Sequence, residues 1–316
     1  MGTPEFAVGT LSRLVEGGYN VVAVVTQPDK PVGRHQDKLQ ASAVKQYALA
    51  HSIPVLQPVK MKDPDFVERL ADLKADLQVV VAFRMLPEIV WAMPRFGTFN
   101  VHAALLPQYR GAAPINWAVI NGETQTGVTT FFIDKDIDTG RIIMKRTFDI
   151  PDDADVEYVY DGLMKLGADI AVETVDMVLD NDGNVQAQEQ EALIPTSEPL
   201  HPAPKIFKET CQICWDKPAK TVYDFIRGLS PYPGAWTTLH KDQKATELKI
   251  YKAAKTGKPV GDAKPGSIET TKKALYMACA DEWLEILSLQ LAGKKRMEAS
   301  AFINGNKGLA DCTVGE

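Results

Sequence analysis

Little in this chain points to a membrane, a metal or a nucleotide cofactor. No apolar run approaches the ~18 residues that a membrane-spanning helix needs. No basic-then-apolar leader opens the chain, so the expected setting is the cytoplasm with no membrane partner. Four cysteines in 316 residues are too few for a disulfide framework. Cys211 and Cys214 have the C-x-x-C spacing of a zinc half-site or a redox pair. Cys279 and Cys312 stand 33 residues apart and offer no second tight pair, so no metal is expected. The flanks of "CQIC" also lack the strand-to-helix turn of a redox motif. Neither G-x-G-x-x-G nor G-x-x-x-x-G-K-[ST] occurs, and "GTPEFAVG" (2–9) is not a substitute. A dinucleotide or a nucleoside triphosphate is therefore unsupported. "DKDIDTG" (134–140) spaces aspartates as a calcium loop does. Thr139 stands where the sharp-turn glycine belongs, however, and Lys145 where the bidentate glutamate belongs. The segment reads as a polar turn with one aspartate aimed inward.

What the chain does have is enough apolar sequence for a sizeable core: 45% hydrophobic residues against 24% charged. The net charge of −6 conceals an asymmetry. Residues 1–200 carry 17 Lys and Arg against 28 Asp and Glu, whereas residues 201–316 carry 18 against 13. A basic second half behind an acidic first half suggests a polyanionic partner.

Up to about residue 180, short β-branched runs alternate with helical patterns. "NVVAVVT" (20–26), "LQVVVAF" (77–83) and "GTFNVHA" (97–103) read as strands buried on both faces. Residues 42–52 and 63–73 read as helices, the second capped by its leading aspartate. This predicts an α/β, Rossmann-like first domain with a mostly parallel sheet. "GVTTFFID" and "GRIIMKRTFDI" add a hairpin, and a long helix follows at roughly 155–179. Residues 181–204 are polar, proline-bearing and aperiodic, as a linker is. Beyond them, a helix at 217–229 and short alternating segments predict a small β-barrel, OB-like, over 205–316.

The stretch richest in chemistry is "FNVHAALLPQYRGAAPINWAVINGE" (99–123). Asn100 and His102 stand two apart at the end of an apolar strand, so both side chains share one face. The carboxyl end of a strand is where open α/β sheets bind ligands. If Asp138 approaches His102, a carboxylate would orient the imidazole and favour its charged form. An amide donor, a titratable ring and an orienting carboxylate suit addition to a carbonyl. Read alone, the same residues equally suit polar caps at a strand end.

"NVHAALLPQYRGAAPINWA" followed by "DKDIDTG" resembles the signature of the folate-dependent formyltransferases. "GTPEFA", "TQPDKPVGR", "LQVVVAF…LP", "SPYPGAW" and "LQLAGKKRM" occur in the same order. They extend the resemblance over nearly the whole chain, to members whose acceptor is methionyl initiator tRNA.

The resemblance implies that residues 1–180 are the catalytic domain and 205–316 a tRNA-binding barrel. It implies catalytic roles for Asn100, His102 and Asp138, with 10-formyltetrahydrofolate as formyl donor and no metal. The folate would lie along Ala104, Leu105, Leu106 and Pro107 and the turn carrying Arg84, Met85 and Leu86. Ala104 stands where the family usually has serine, and Arg84 where many members have glycine. The polar segment 28–40 would close on the tRNA acceptor end, with Arg34 at the first base pair and Lys30 and Lys38 on phosphates. Lys205, Lys208, Lys249, Lys252, Lys294, Lys295 and Arg296 would form a basic stripe on the second domain. The expected assembly is a monomer. The resemblance also implies a short central strand ahead of the Gly-Thr-Pro loop, so that Met1 is an internal methionine read as the start or the chain was trimmed. Two alternatives stay open: a formyltransferase for another amine, and a tRNA-binding protein whose catalytic half is inactive.

Overall fold

The computed structural model of the chain describes residues 1–32, 38–194, 199–241, 244–306 and 308–315. Gly2-Thr3-Pro4 leads into α1 (Glu5–Glu16), which turns Phe6, Ala7, Leu11 and Leu14 inward at helical spacing. There follow β1 (Val24–Val25), β2 (Lys30–Val32), β3 (Lys38–Gln40), α2 (Ala43–Ala50), β4 (Val55–Leu56), α3 (Pro64–Asp72), β5 (Gln78–Val81), α4 (Glu88–Trp91) and β6 (Thr98–His102). Ser42 caps α2 by accepting from the Lys45 amide, and Asp63 caps α3 by accepting from that of Asp65. Next come α5 (Pro114–Ile120), β7 (Gln125–Phe132), β8 (Ile142–Asp149) and α6 (Val156–Asp180).

Two compact units result, and they do not divide at a single linker. The first comprises Met1–Gly111, Gln125–Asp149 and Tyr160–Ala203, and the second Ala112–Thr124, Ile150–Val159 and Pro204–Glu316. Hydrogen bonds explain why 112–124 and 150–159 join the second unit. There the Asn116 amide donates to Gly228 O (2.8 Å) and the Trp117 indole to Pro204 O (2.8 Å). Arg227 donates to Ala154 O (2.8 Å), and Tyr223 to Asp152 O (3.1 Å).

In the first unit β5 runs parallel to β6, and β6, β7 and β8 are successively antiparallel. β1 and β4 form a separate parallel pair. The strand expected at 20–26 is thus only two residues long. Among the described residues, only 1 and 2 lie between β1 and β5: Gly2 donates to Val25 O (3.0 Å), and Val81 donates to Met1 O (2.9 Å). Within the polar segment 28–40, β2 and β3 pair as an antiparallel ribbon. The stretch expected as a linker is bonded into this unit, with Gln188 and Ile142 exchanging both backbone hydrogen bonds (2.8 Å each).

The second unit contains α7 (Ala219–Gly228), β9 (Ala235–Lys241), β10 (Lys244–Pro259), β11 (Ile268–Thr270), β12 (Leu275–Ala278), β13 (Glu282–Leu291), β14 (Met297–Glu298), α8 (Ala299–Gly305) and β15 (Thr313–Gly315). Its strands run in the order β11-β12-β13-β10-β9-β15, with β14 beside β13. This antiparallel sheet curls until its two ends meet, where Ser267 bridges Thr313 and Val314 donates to Gly266 O (2.8 Å). Gly266 has φ +83°, and a Cβ there would stand 2.0 Å from Val314 O, so the closure needs glycine. Leu248, Ile250, Leu275, Met277, Leu284 and Ile286 fill the curl.

Candidate active site at the carboxyl end of β6

β6 carries Asn100 and His102 on one face, beside the buried Phe99 and Val101 on the other. His102 is almost fully buried, and its ring meets Phe131 edge-on with centroids 6.4 Å apart. His102 Nε2 lies 2.9 Å from Tyr109 O. A carbonyl only accepts, so Nε2 carries a proton. Nδ1 then faces Asp138 Oδ2 at 3.8 Å, with the carboxylate itself mostly buried. Asp138 Oδ2 accepts from the Gly111 amide (3.0 Å), which fixes it opposite the ring. Asp138 is held in the left-handed region, φ 55°, a conformation that aspartate tolerates better than most residues.

Gln190, which sequence reasoning missed, anchors this arrangement. Its fully buried amide donates to Asp138 O (2.9 Å) and Gly140 O (2.8 Å). Its Oε1 accepts from Arg110 Nε (3.0 Å) and Nη2 (2.7 Å). One side chain therefore ties the loop after β6 to the turn that bears Asp138. Gly111 is the second anchor: at φ +130° its missing Cβ would stand 2.4 Å from Ala203 O. A lone glutamine in a polar stretch gives no sequence signal for such a role.

The segment expected along the folate is partly committed to the protein. Thr129 Oγ1 accepts from the Leu106 amide (3.1 Å) and donates to Ala104 O (2.7 Å), while Leu105 O accepts from Gln108 (3.1 Å). Ala104 and Leu106 are fully buried. These bonds brace the loop, and Pro107 has no amide to offer. Arg84, Met85 and Leu86 also separate. Arg84 donates to the carbonyls of Pro58 and Val59, Met85 is exposed, and Leu86 packs into the core with Val80 and Val90.

Two buried polar atoms have no hydrogen-bond partner here among the described residues, Asn100 Oδ1 and Arg84 Nε. They lie at or just past the carboxyl ends of the paired strands β6 and β5. Lys145, opposite Thr129 on β8, is half-buried, and burial lowers its pKa below the ordinary lysine value.

Lys30 is exposed on β2, and Lys38 belongs to β3. Arg34 lies outside the described residues. In the second unit the basic residues interleave with aromatic rings. Lys208 sits over Trp236 (5.7 Å) and pairs with Glu247 (2.7 Å), and Trp236 stands opposite Lys249 in the β9–β10 register. Lys249 donates to Pro233 O (3.0 Å), and Arg296 covers Tyr251 (4.5 Å). Lys205 lies over Phe207 (5.4 Å), while Lys252, Lys294 and Lys295 are exposed. Cys211 is buried and Cys214 exposed, so the C-x-x-C pair presents its sulfurs to different surroundings. No helix of the described residues is long and apolar enough to cross a membrane.

Residues 1–175 match the family model described as formyl transferase, and residues 205–307 match that of the formyl transferase C-terminal domain. A methionyl-tRNA formyltransferase of Parabacteroides distasonis is 59% identical over 318 residues, covering 100% of this chain and 97% of the relative. One from Bacteroides fragilis is 57% identical, covering 96% of this chain and 93% of the relative. Among solved structures, an N-formyltransferase of Helicobacter canadensis, in complex with folinic acid and dTDP-3-aminofucose, superposes with a TM-score of 0.65 at 19% identity. That match covers 94% of this chain and 97% of the other. HypX of Aquifex aeolicus, in complex with tetrahydrofolic acid, has a TM-score of 0.56 at 20% identity, over 83% of this chain and 44% of its own. At these identities the structures speak to the fold. The sequence matches, spanning both units, place this chain in the formyl transferase family.

Proposed function

We propose that this protein transfers the formyl group of 10-formyltetrahydrofolate to the α-amino group of methionyl initiator tRNA. The observation that carries the reading is the trio at the end of β6. Asn100 and His102 share a face, His102 Nδ1 stands 3.8 Å from Asp138, and one end of the Asn100 amide is buried without a partner. The names borne by relatives at 54–59% identity supply the acceptor.

The folate acts as co-substrate and supplies an activated formyl carbon. The residues present suit a pterin, whose edge offers donors and acceptors, because Asn100 and Arg84 each keep a buried polar atom unsatisfied. Asn100 donates to the formyl oxygen as negative charge gathers there during attack by the amine. O and N of an amide are interchangeable by a flip, so the unpartnered end can serve as that donor. His102 is held by Tyr109 at Nε2, which leaves Nδ1 to carry a second proton toward Asp138. Asp138 keeps that charged ring in place and takes up, directly or through water, the proton that the amine loses. Collapse of the tetrahedral centre then breaks the bond between the formyl carbon and N10 of the folate, and that proton passes to the departing N10. The amine is itself the nucleophile, so no enzyme side chain needs to form a covalent intermediate. The exposed cations of the second unit, with aromatic rings among them, suit phosphates and bases of the acceptor. We take the active form to be a cytoplasmic monomer.

Transfer of labelled formyl from 10-formyltetrahydrofolate to methionyl initiator tRNA tests this reading. We expect multiple turnovers with methionyl initiator tRNA and none with free methionine. Label that reaches no aminoacyl-tRNA, or that reaches a free aminosugar instead, would overturn it.

A further inference from the structure

The β2–β3 ribbon stands on a base that the candidate site does not use. In its register Lys30 pairs with Gln40 and Pro31 with Leu39. All four are exposed, Leu39 by 72%. A two-stranded ribbon is marginal in water by itself, and these side chains find no core to pack on. Its direction is therefore set where its two legs leave the unit.

Both legs are tied there. The Asp29 carboxylate accepts from Lys45 Nζ at one oxygen (2.6 Å) and from Gln57 Nε2 at the other (2.8 Å). Gln57, just past β4, also donates to Gln27 O (2.9 Å). The hydroxyls of Thr26 and Ser42 share a hydrogen bond (2.8 Å), and Ser42 caps α2. The side chains of Asp29 and Lys45 are only 24% and 21% exposed. The bond from Lys45, and after it that from Gln57, holds the Asp29 carboxyl below the usual carboxylate range.

Lys45 breaks a local rule. It is the third residue of α2, whose first turn holds no acid. The amino end of a helix disfavours a cation, and Asp or Glu at this position would stabilise α2 without any partner. Such a conflict between local preference and residue choice points to a use elsewhere. The use visible here is to hold Asp29, one residue ahead of β2.

We propose that Asp29, gripped by Lys45 and Gln57, is a positioning residue that aims the β2–β3 ribbon, with Lys30 opening one strand and Lys38 the other, at phosphates of the tRNA acceptor. The inference rests on the acceptor named under the proposed function. It carries a sign of its own. Removing a carboxylate near a bound polyanion ordinarily tightens binding, because a repulsion disappears. Loss of the grip weakens it, because the two cations are no longer presented together.

The test measures dissociation constants for methionyl initiator tRNA directly, beside formyl transfer, in the full chain. Asp29→Ala should raise Kd about tenfold and flatten the slope of log affinity against log salt by about one to two, as for one or two phosphates no longer neutralised. Folate affinity should stay the same, which reports an intact site. Asp29→Lys combined with Lys45→Asp keeps the net charge and gives α2 the acid that its first turn lacks. The Gln57 amide can flip to accept from the new lysine, so Kd should return to within about twofold of the unaltered value. With Lys30→Ala and Lys38→Ala already in place, Asp29→Ala should add little, since residues that act through one another are not additive. Binding by Asp29→Ala as tight as that of the unaltered protein, or tighter, would overturn the inference. So would a charge exchange that binds as weakly as Asp29→Ala, or full additivity with the two lysines. Binding is read separately from transfer. An unaltered protein that binds the tRNA without formylating it therefore counts against the proposed reaction, and the affinities still decide the role of Asp29.

Discussion

The two units handle their sheets in opposite ways. In the second, the strands form one continuous antiparallel ladder whose ends meet at Ser267 and Thr313, with an apolar interior and cations outside. In the first, the sheet is split into β1–β4 and β5–β8, and among the described residues only Met1 and Gly2 span the break. The candidate site stands on the unbroken half. Asn100 and His102 project from a strand paired on both sides, and Asp138 is clamped by Gln190 and Gly111. The site geometry thus rests on local bonding around β6, while the second unit's sheet closes through Gly266 and Val314. The two can be separated by experiment.

The largest effect should come from the site. Asn100→Ala removes a donor worth ~3 kcal/mol in the transition state, so kcat should fall on the order of a hundredfold or more, with melting nearly unchanged. Next is the closure of the second unit. Gly266→Ala forces a side chain onto Val314 O at φ +83° and should cost about 3 kcal/mol, read by urea unfolding. Gly257→Ala is the control, since at φ +66° nothing stands within 4 Å and only about 1 kcal/mol of backbone strain is at stake. Equal costs at the two glycines would mean that the closure contributes little.

Gln190→Leu bridges the two concerns. It leaves the Arg110 guanidinium and the carbonyls of Asp138 and Gly140 without their partner, costing about 2 kcal/mol of stability. Because it acts through Asp138, kcat should drop roughly tenfold while KM for the folate moves less. A variant that loses stability yet keeps kcat would reduce Gln190 to a structural role. The smallest effect belongs to the exposed cations. Lys252→Glu with Lys294→Glu should raise KM for tRNA and leave kcat alone. The slope of log affinity against log salt should flatten by about one for each phosphate no longer neutralised.

Much of this was legible in the sequence because it rests on short-range rules. Period-2 spacing put Asn100 and His102 on one face, and Asp63 caps the helix it precedes. Asp138 was suggested by a turn between two apolar strands. Other features were not legible, because they depend on partners far along the chain. Gln190 meets Arg110 across 80 residues, and Thr129 takes up the backbone of Ala104 and Leu106. The mixed membership of 112–124 and 150–159 likewise follows from bonds to α7 and to Pro204, not from local pattern.

The most direct measurement is single-turnover formyl transfer by His102→Ala with both substrates bound beforehand. A catalytic trio of Asn100, His102 and Asp138 requires a rate at least about a hundredfold below that of the unaltered protein, with tRNA and folate affinities nearly the same. A rate equal to that of the unaltered protein would contradict the placement of the chemistry at the end of β6.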